Sequence, residues 1–243
     1  MNELATIDPT QLPSTRLGSA EDYAELTKGG DFLSTIKLCT SDKYVKKNLI
    51  PNGHFGIPRS KDEIDDLGDV IDVLPLASRA KAVDMSDLSA VVANYDASSE
   101  AFKDIAARSK VKDSGCVAGV SFLVIERSTG QFFEYFFGSS SSHREAKLVL
   151  GCCPLSQVDI DAMAAAGADV DGLEPHTAYA VTIRSKYIDK TKYQWYGPVA
   201  TRCSQPFAKL PSATAILREI DKFVNVKSGG AVKVTDNRKQ RAR

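Results

Sequence analysis

Cations and aromatic rings interleave at strand spacing between residues 178 and 203. Arg184, Lys186, Lys190, Lys192 and Arg202 stand against a single acid, Asp189. The rings are Tyr179, Tyr187, Tyr193, Trp195 and Tyr196, and Trp195 is the chain's one tryptophan. Single-stranded nucleic acid asks for this mixture, because phosphates need a cationic track and unpaired bases need flat surfaces to stack on. Alternation along the first arm puts Thr182, Arg184 and Lys186 on one face, with Tyr179, Val181, Ile183 and Tyr187 on the other. On the return arm Tyr193, Trp195, Gly197 and Val199 share a face, opposite Gln194, Tyr196 and Arg202. The more apolar face of the first arm belongs in a core, so its cations point outward. Arg184, Lys186, Tyr187, Lys190, Lys192, Tyr193, Trp195, Tyr196 and Arg202 are therefore the candidate nucleic-acid contacts. Arg144 and Lys147 join them, because Ser139–Ser142 lead into a helix whose N-terminus suits phosphate. A solvated hairpin with core aromatics is the competing account of the same residues.

Other chemistries find less support. His54, His143 and His176 sit in three separate segments, each better placed as a surface residue than as a catalytic base. No nucleophile elbow, P-loop, dinucleotide fingerprint or HExxH motif occurs. The acids Asp62, Glu63, Asp65, Asp66, Asp69 and Asp72 fit a solvated acidic loop better than a metal-dependent nuclease site. Asp84 and Asp87 flank Met85-Ser86 and most simply cap a helical turn. Cys39, Cys116, Cys152, Cys153 and Cys203 are odd in number and include an adjacent pair, which is no disulfide framework. Cys116, Cys152, Cys153, Cys203, His143 and His176 lack the spacing of a zinc site. The expectation is a non-enzyme without metal or cofactor. The opening residues hold no apolar run, so free thiols point to a reducing cytosol.

The elements that must position these residues are mostly strands. Residues 32–40 alternate as a first strand, and Asn52-Gly53 predicts a turn into residues 54–57. Residues 70–83 are apolar but carry Pro75, which predicts an edge or bent strand. Ser98 and Ser99 cap a helix over 100–109 that buries Phe102, Ile105 and Ala106. Residues 120–126 and 131–137 flank Arg127-Ser128-Thr129-Gly130 as a hairpin. Its second arm carries rings on both faces, with Phe133, Tyr135 and Phe137 on one, Phe132 and Phe136 on the other. Ser142 and Glu145 form a capping-box pattern, as do Ser156 and Asp159, the second helix ending at Gly167. Residues 167–177 read as an acidic loop. Ser212 caps a last helix with Ile216, Leu217, Ile220, Phe223 and Val224 on one stripe.

The 243 residues have zero formal net charge, yet the charge is segregated. Residues 148–183 hold no Lys or Arg, whereas six bases face one acid from Lys227 onward. Few strands, short turns and inserted helices predict a mainly β protein with helices, of α+β class. The expected architecture is an OB-like antiparallel five-stranded barrel with inserted and C-terminal helices. The division is an irregular arm over 1–30 (with a short helix near 20–27), one domain over 31–225, and a disordered basic tail over 226–243. No apolar stretch is long enough to span a bilayer.

The pieces 120–138, 139–147 and 179–204 resemble the latter half of single-stranded DNA-binding proteins carried by tailed phages. The resemblance is architectural and covers the middle two-thirds of the chain. It implies an OB-fold that coats single strands in replication and recombination, in the host cytoplasm. The implied partners are single-stranded DNA or RNA, replication proteins and further copies of the chain. Many members of that class end in an acidic tail, whereas this tail is basic, a departure that sets partner recruitment by the tail apart. The alternative is an assembly protein of a virion or complex, whose strands build a subunit interface.

Overall fold

In the computed structural model the described residues are 33–40, 42–60, 62–86, 91–111, 113–138, 142–167, 170–171, 173–190, 193–203, 205, 207 and 210–225. The expected arm, the helix near 20–27 and the basic tail lie outside them. The strands are β1 (Thr35–Leu38), β2 (Phe55–Pro58), β3 (Ile64–Gly68), β4 (Val70–Asp84), β5 (Val92–Asn94), β6 (Cys116–Glu126), β7 (Phe132–Phe137), β8 (Val181–Lys190) and β9 (Tyr193–Arg202). The helices are α1 (Lys43–Lys46), α2 (Glu100–Arg108), α3 (His143–Leu150), α4 (Gln157–Ala165) and α5 (Ala213–Asn225).

The protein is mainly β with helices, as expected, but the described strands do not form a five-stranded barrel. Nine strands make one open sheet in the order β3-β2-β1-β7-β6-β4-β8-β9, with β5 paired to the far end of β4. Nor is it wholly antiparallel, since β1 runs parallel to β7 through Thr35–Glu134 and Ile36–Tyr135. The sheet rolls until the last strand meets the turn before β2. There the Tyr196 ring lies so close to Gly53 that a methyl group on that glycine would come within 2.5 Å of it. Gly53 also has a φ of +89°, which glycine adopts without strain.

β4 is central, not an edge. Pro75 has no N–H to give to the ladder, and the register against β6 shifts between Pro75 and Ala77. Its first residues, 70–73, pair with β8 and its last, 82–84, with β5. Of the acids expected in a loop, Asp62, Glu63 and Asp69 do lie outside the strands, but Asp65 and Asp66 belong to β3 and Asp72 to β4, and the segment is tied down by charge. Asp65 pairs with Arg59 at 2.7 Å, Asp66 meets His54 at 3.0 Å, and Asp62 pairs with Lys47.

Hydrophobic cores lie on both faces of the sheet. One gathers Phe55, Ile57, Phe122, Phe133, Phe137 and Ile183 with Ala146 and Val149 of α3. The other sets Leu76, Leu123 and Ile125 under Ile216 and Phe223 of α5. The rings on both faces of β7 thus reflect a strand covered twice. Ile216 and Phe223 carry the α5 stripe, while Val224 is exposed. Smaller clusters form around Tyr44 of α1, an element the sequence reading did not anticipate, and around Ile105 of α2. Four of the five cysteines are buried and all are free thiols. Burial pushes the Cys39 thiol up to about 12, with the Asp42 carboxylate adding to it. Among the described residues no helix is long and apolar enough to cross a membrane.

Candidate nucleic-acid interface

The hairpin of β8 and β9 is the ladder that positions the predicted contacts. Arg184 pairs with Val199, Lys186 with Gly197, Ile188 with Trp195 and Lys190 with Tyr193. Directly opposed residues share a face, so Arg184, Lys186 and Lys190 stand on the same face as Trp195. All three cations are exposed, and none forms an ion pair among the described residues. Lys190 Nζ lies 5.9 Å from the centroid of the Trp195 ring. Lys192 and the Tyr193 side chain lie outside what is described.

Trp195 is half-buried. A methyl group on Gly197, two residues along the same face, would sit 3.4 Å from the indole Nε1 and 3.1 Å from Ile188. The contact with the indole is an ordinary van der Waals one, so the ring lies against the strand beside Gly197. Its N–H is buried and makes no hydrogen bond among the described residues. Leaving such a donor unmatched costs about 1–3 kcal/mol.

Tyr187 and Tyr196 occupy the opposite face. Their centroids are 5.1 Å apart at 58°, and Tyr187 remains 48% exposed. With Tyr196 seated on Gly53, this pair braces the hairpin against the β1–β2 turn. Arg202 stands at the far end of the ladder, opposite Val181, with its guanidinium 5.3 Å from the Tyr179 ring. Burial raises the pKa of the neighbouring Cys152 thiol, and Arg202 offsets part of that rise. Arg202 is therefore remote from Lys190 and Trp195.

Arg144 and Lys147 are exposed on α3. The capping box expected there does not form. Ser142 makes no cap hydrogen bond to the helix, and Glu145 Oε2 instead accepts the Ala200 N–H at 2.7 Å. That bond fastens α3 along the outer edge of β9. The Ser156–Asp159 capping box of α4 does form.

Between α3, β1 and the β9 edge lies a groove of about 1680 Å³. Trp195, Tyr196 and Lys147 line it, so the structure brings these three predicted residues together. It also contains Lys37, Lys81, Lys110, Tyr95, Phe102 and Phe136, which sequence reasoning did not assign to a site. Only Phe136 carried a signal, as a ring on the second face of its strand.

One wall of the groove holds a buried ionic cluster. Glu134 Oε1 meets Lys81 Nζ at 3.0 Å and Arg79 Nη2 at 3.3 Å, and it accepts the Ser121 hydroxyl. Side-chain exposures of 8% for Glu134, 13% for Lys81 and 12% for Arg79 keep water largely out. Burial pushes the Glu134 pKa up, but Lys81, Ser121 and Arg79 outweigh it and hold the carboxyl below its ordinary range. The Arg79 guanidinium lies 3.8 Å from the Tyr95 ring and 4.0 Å from that of Phe223, and it donates to Phe223 O at 2.8 Å. That bond satisfies a carbonyl in the last turn of α5.

Among the described residues, no group of three or more His, Cys, Asp or Glu could hold a metal ion. What the arrangement offers is positive charge with no ion pair among the described residues, beside an indole at the mouth of a groove of about 1680 Å³. No protein family, curated protein or solved structure matches the chain.

Proposed function

We propose that the protein binds single-stranded DNA through the outer face of the β8–β9 hairpin, in the service of phage or viral DNA replication or recombination. The observation that carries this reading is the ladder register, which sets exposed Arg184, Lys186 and Lys190 beside Trp195. Phosphates run along the cations. An unpaired base stacks on the indole, whose other side rests on Gly197. The buried indole N–H is a spare donor that a small shift of the ring would offer to an incoming acceptor. The reading does not depend on a closed barrel, because an open strand face serves as well as a barrel groove. The phage or viral setting rests on the resemblance of residues 120–147 and 179–204 alone, since the open sheet departs from the OB barrel which that resemblance implied.

The test is a titration of the full chain with poly-dT, followed by Trp195 fluorescence at two salt concentrations. Arg184→Ala with Lys186→Ala weakens binding to every sequence and lowers the salt slope by about 1.4, at about 0.7 per phosphate contact on a single strand. Absence of salt-sensitive binding overturns the proposal. Large, salt-insensitive assemblies formed without nucleic acid would favour a structural subunit instead.

A further inference from the structure

We infer that the groove beside β9 is a second length of the nucleic-acid track, so that a bound strand leaves Trp195 and runs round the edge of β7 to Lys81 and Phe136. The inference rests on the reading of the hairpin as a single-strand site. It assigns the path and the residues beyond it.

Three observations converge. First, the groove adjoins the hairpin face, since consecutive residues Trp195, Tyr196, Gly197 and Pro198 form one of its walls. Second, its charge suits a polyanion. Four lysines line it; Lys37 is paired with Asp42 and Lys81 with Glu134, the one carboxylate of the lining, which leaves Lys110 and Lys147 to supply the charge. Lys110 and Lys147 are exposed and form no ion pair among the described residues. Glu134 is already shared by Lys81, Arg79 and Ser121, so it has little capacity left to repel a phosphate. Third, its size and lining suit a polymer with flat bases. At about 1680 Å³ it exceeds the roughly 300–1,000 Å³ of small-molecule pockets.

Among the described residues no strand covers the end of β7, because β1 leaves it for β2 after Ile36. On β7, β1 pairs only with Glu134 and Tyr135, and the described edge beyond them, from Phe136 to Gly138, carries no strand. Phe136 repeats the arrangement of Trp195. It stands two residues from a glycine, and a methyl group on Gly138 would come within 2.5 Å of its ring. Lys81 Nζ lies 5.2 Å from the ring centroid. Lys81 is held by Glu134, so Phe136 supplies the ring at this end while the exposed Lys110 and Lys147 supply the charge along the groove.

The test is photocrosslinking of the full chain to a thymidine 30-mer carrying 5-iododeoxyuridine at scattered positions, with the attached peptides mapped by mass spectrometry. The expected crosslinks fall on Phe136 or Tyr95 as well as on Trp195. Crosslinks confined to residues 184–196 overturn the inference while leaving the hairpin site standing. No complex with the 30-mer overturns both. Lys147→Glu, at an exposed helix position, gives an independent measure. It weakens binding of the 30-mer about tenfold with unchanged melting, whereas a thymidine 4-mer, too short to leave the hairpin, loses less than twofold. Equal losses for the two lengths, or none for either, would sink the proposed path.

Discussion

The indole of Trp195 rests on Gly197 and Ile188, and that contact sets what its removal costs. A fully buried tryptophan would cost about 3–5 kcal/mol of stability when cut to alanine. Half-buried on an outer strand, Trp195 stands apart from both hydrophobic cores. The expected result for Trp195→Ala is a melting temperature close to wild type. Affinity for poly-dT falls by about 1–3 kcal/mol and the salt slope is unchanged, because stacking releases no counterions. A folded variant with wild-type affinity removes the stacking role, and a variant that unfolds makes the residue structural. Glu134 shows the opposite balance. Its pKa is depressed in the folded protein, so the stability it confers is present above the unfolded pKa and is lost as pH falls through the folded one. Wild-type protein should therefore lose stability as the pH drops below about 4.3, the ordinary glutamate value. Glu134→Gln leaves Arg79 and Lys81 buried without their anion. It should cost about 3–5 kcal/mol at pH 7 and flatten that acid limb, both readable from denaturant titrations at several pH values.

At the scale of elements, α5 is a separate contribution to stability. It covers Leu76, Leu123 and Ile125 with Ile216 and Phe223, and its end is fastened by Arg79. Phe223→Ala should cost about 3–5 kcal/mol. Ser212→Ala should cost about 1 kcal/mol, since it removes only the cap to the Ala215 N–H. Equal losses would mean that the cap, and not the apolar stripe, holds the helix. This helix was legible in the sequence because its stripe and its cap are local signals. The same holds for the β6–β7 hairpin, the Ser99 cap and the face assignment of β8 and β9. β3 was not legible, because Asp and Glu disfavour strands and their partners Arg59, His54 and Lys47 precede them in separate segments. The groove was harder still. Lys37, Lys81, Lys110 and Lys147 come from four segments, brought together by the parallel pairing of β1 with β7, the packing of α2 on β4 and β6, and the roll of the sheet. Glu145 misled for a related reason, since its position fits a capping box but its partner is a strand about 55 residues away.

For the whole molecule, an open sheet leaves a strand at its margin. Unpaired N–H and C=O groups on such a strand are a template for another chain, and proteins blunt them with proline, charge or a covering element. β9 carries two of these devices on alternate residues, where the ladder turns the N–H outward. Pro198 has no N–H to offer, and the Ala200 N–H is already taken by Glu145 of α3. The consequence is colloidal. The carboxylate of Glu145 acts as a stopper, keeping one molecule from growing into a ribbon of many. Glu145→Ala with Pro198→Val should leave the fold intact but give concentration-dependent association, seen as a rising scattering mass and thioflavin fluorescence over hours. A double variant that stays monomeric at high concentration would show that the roll of the sheet onto Gly53 is protection enough.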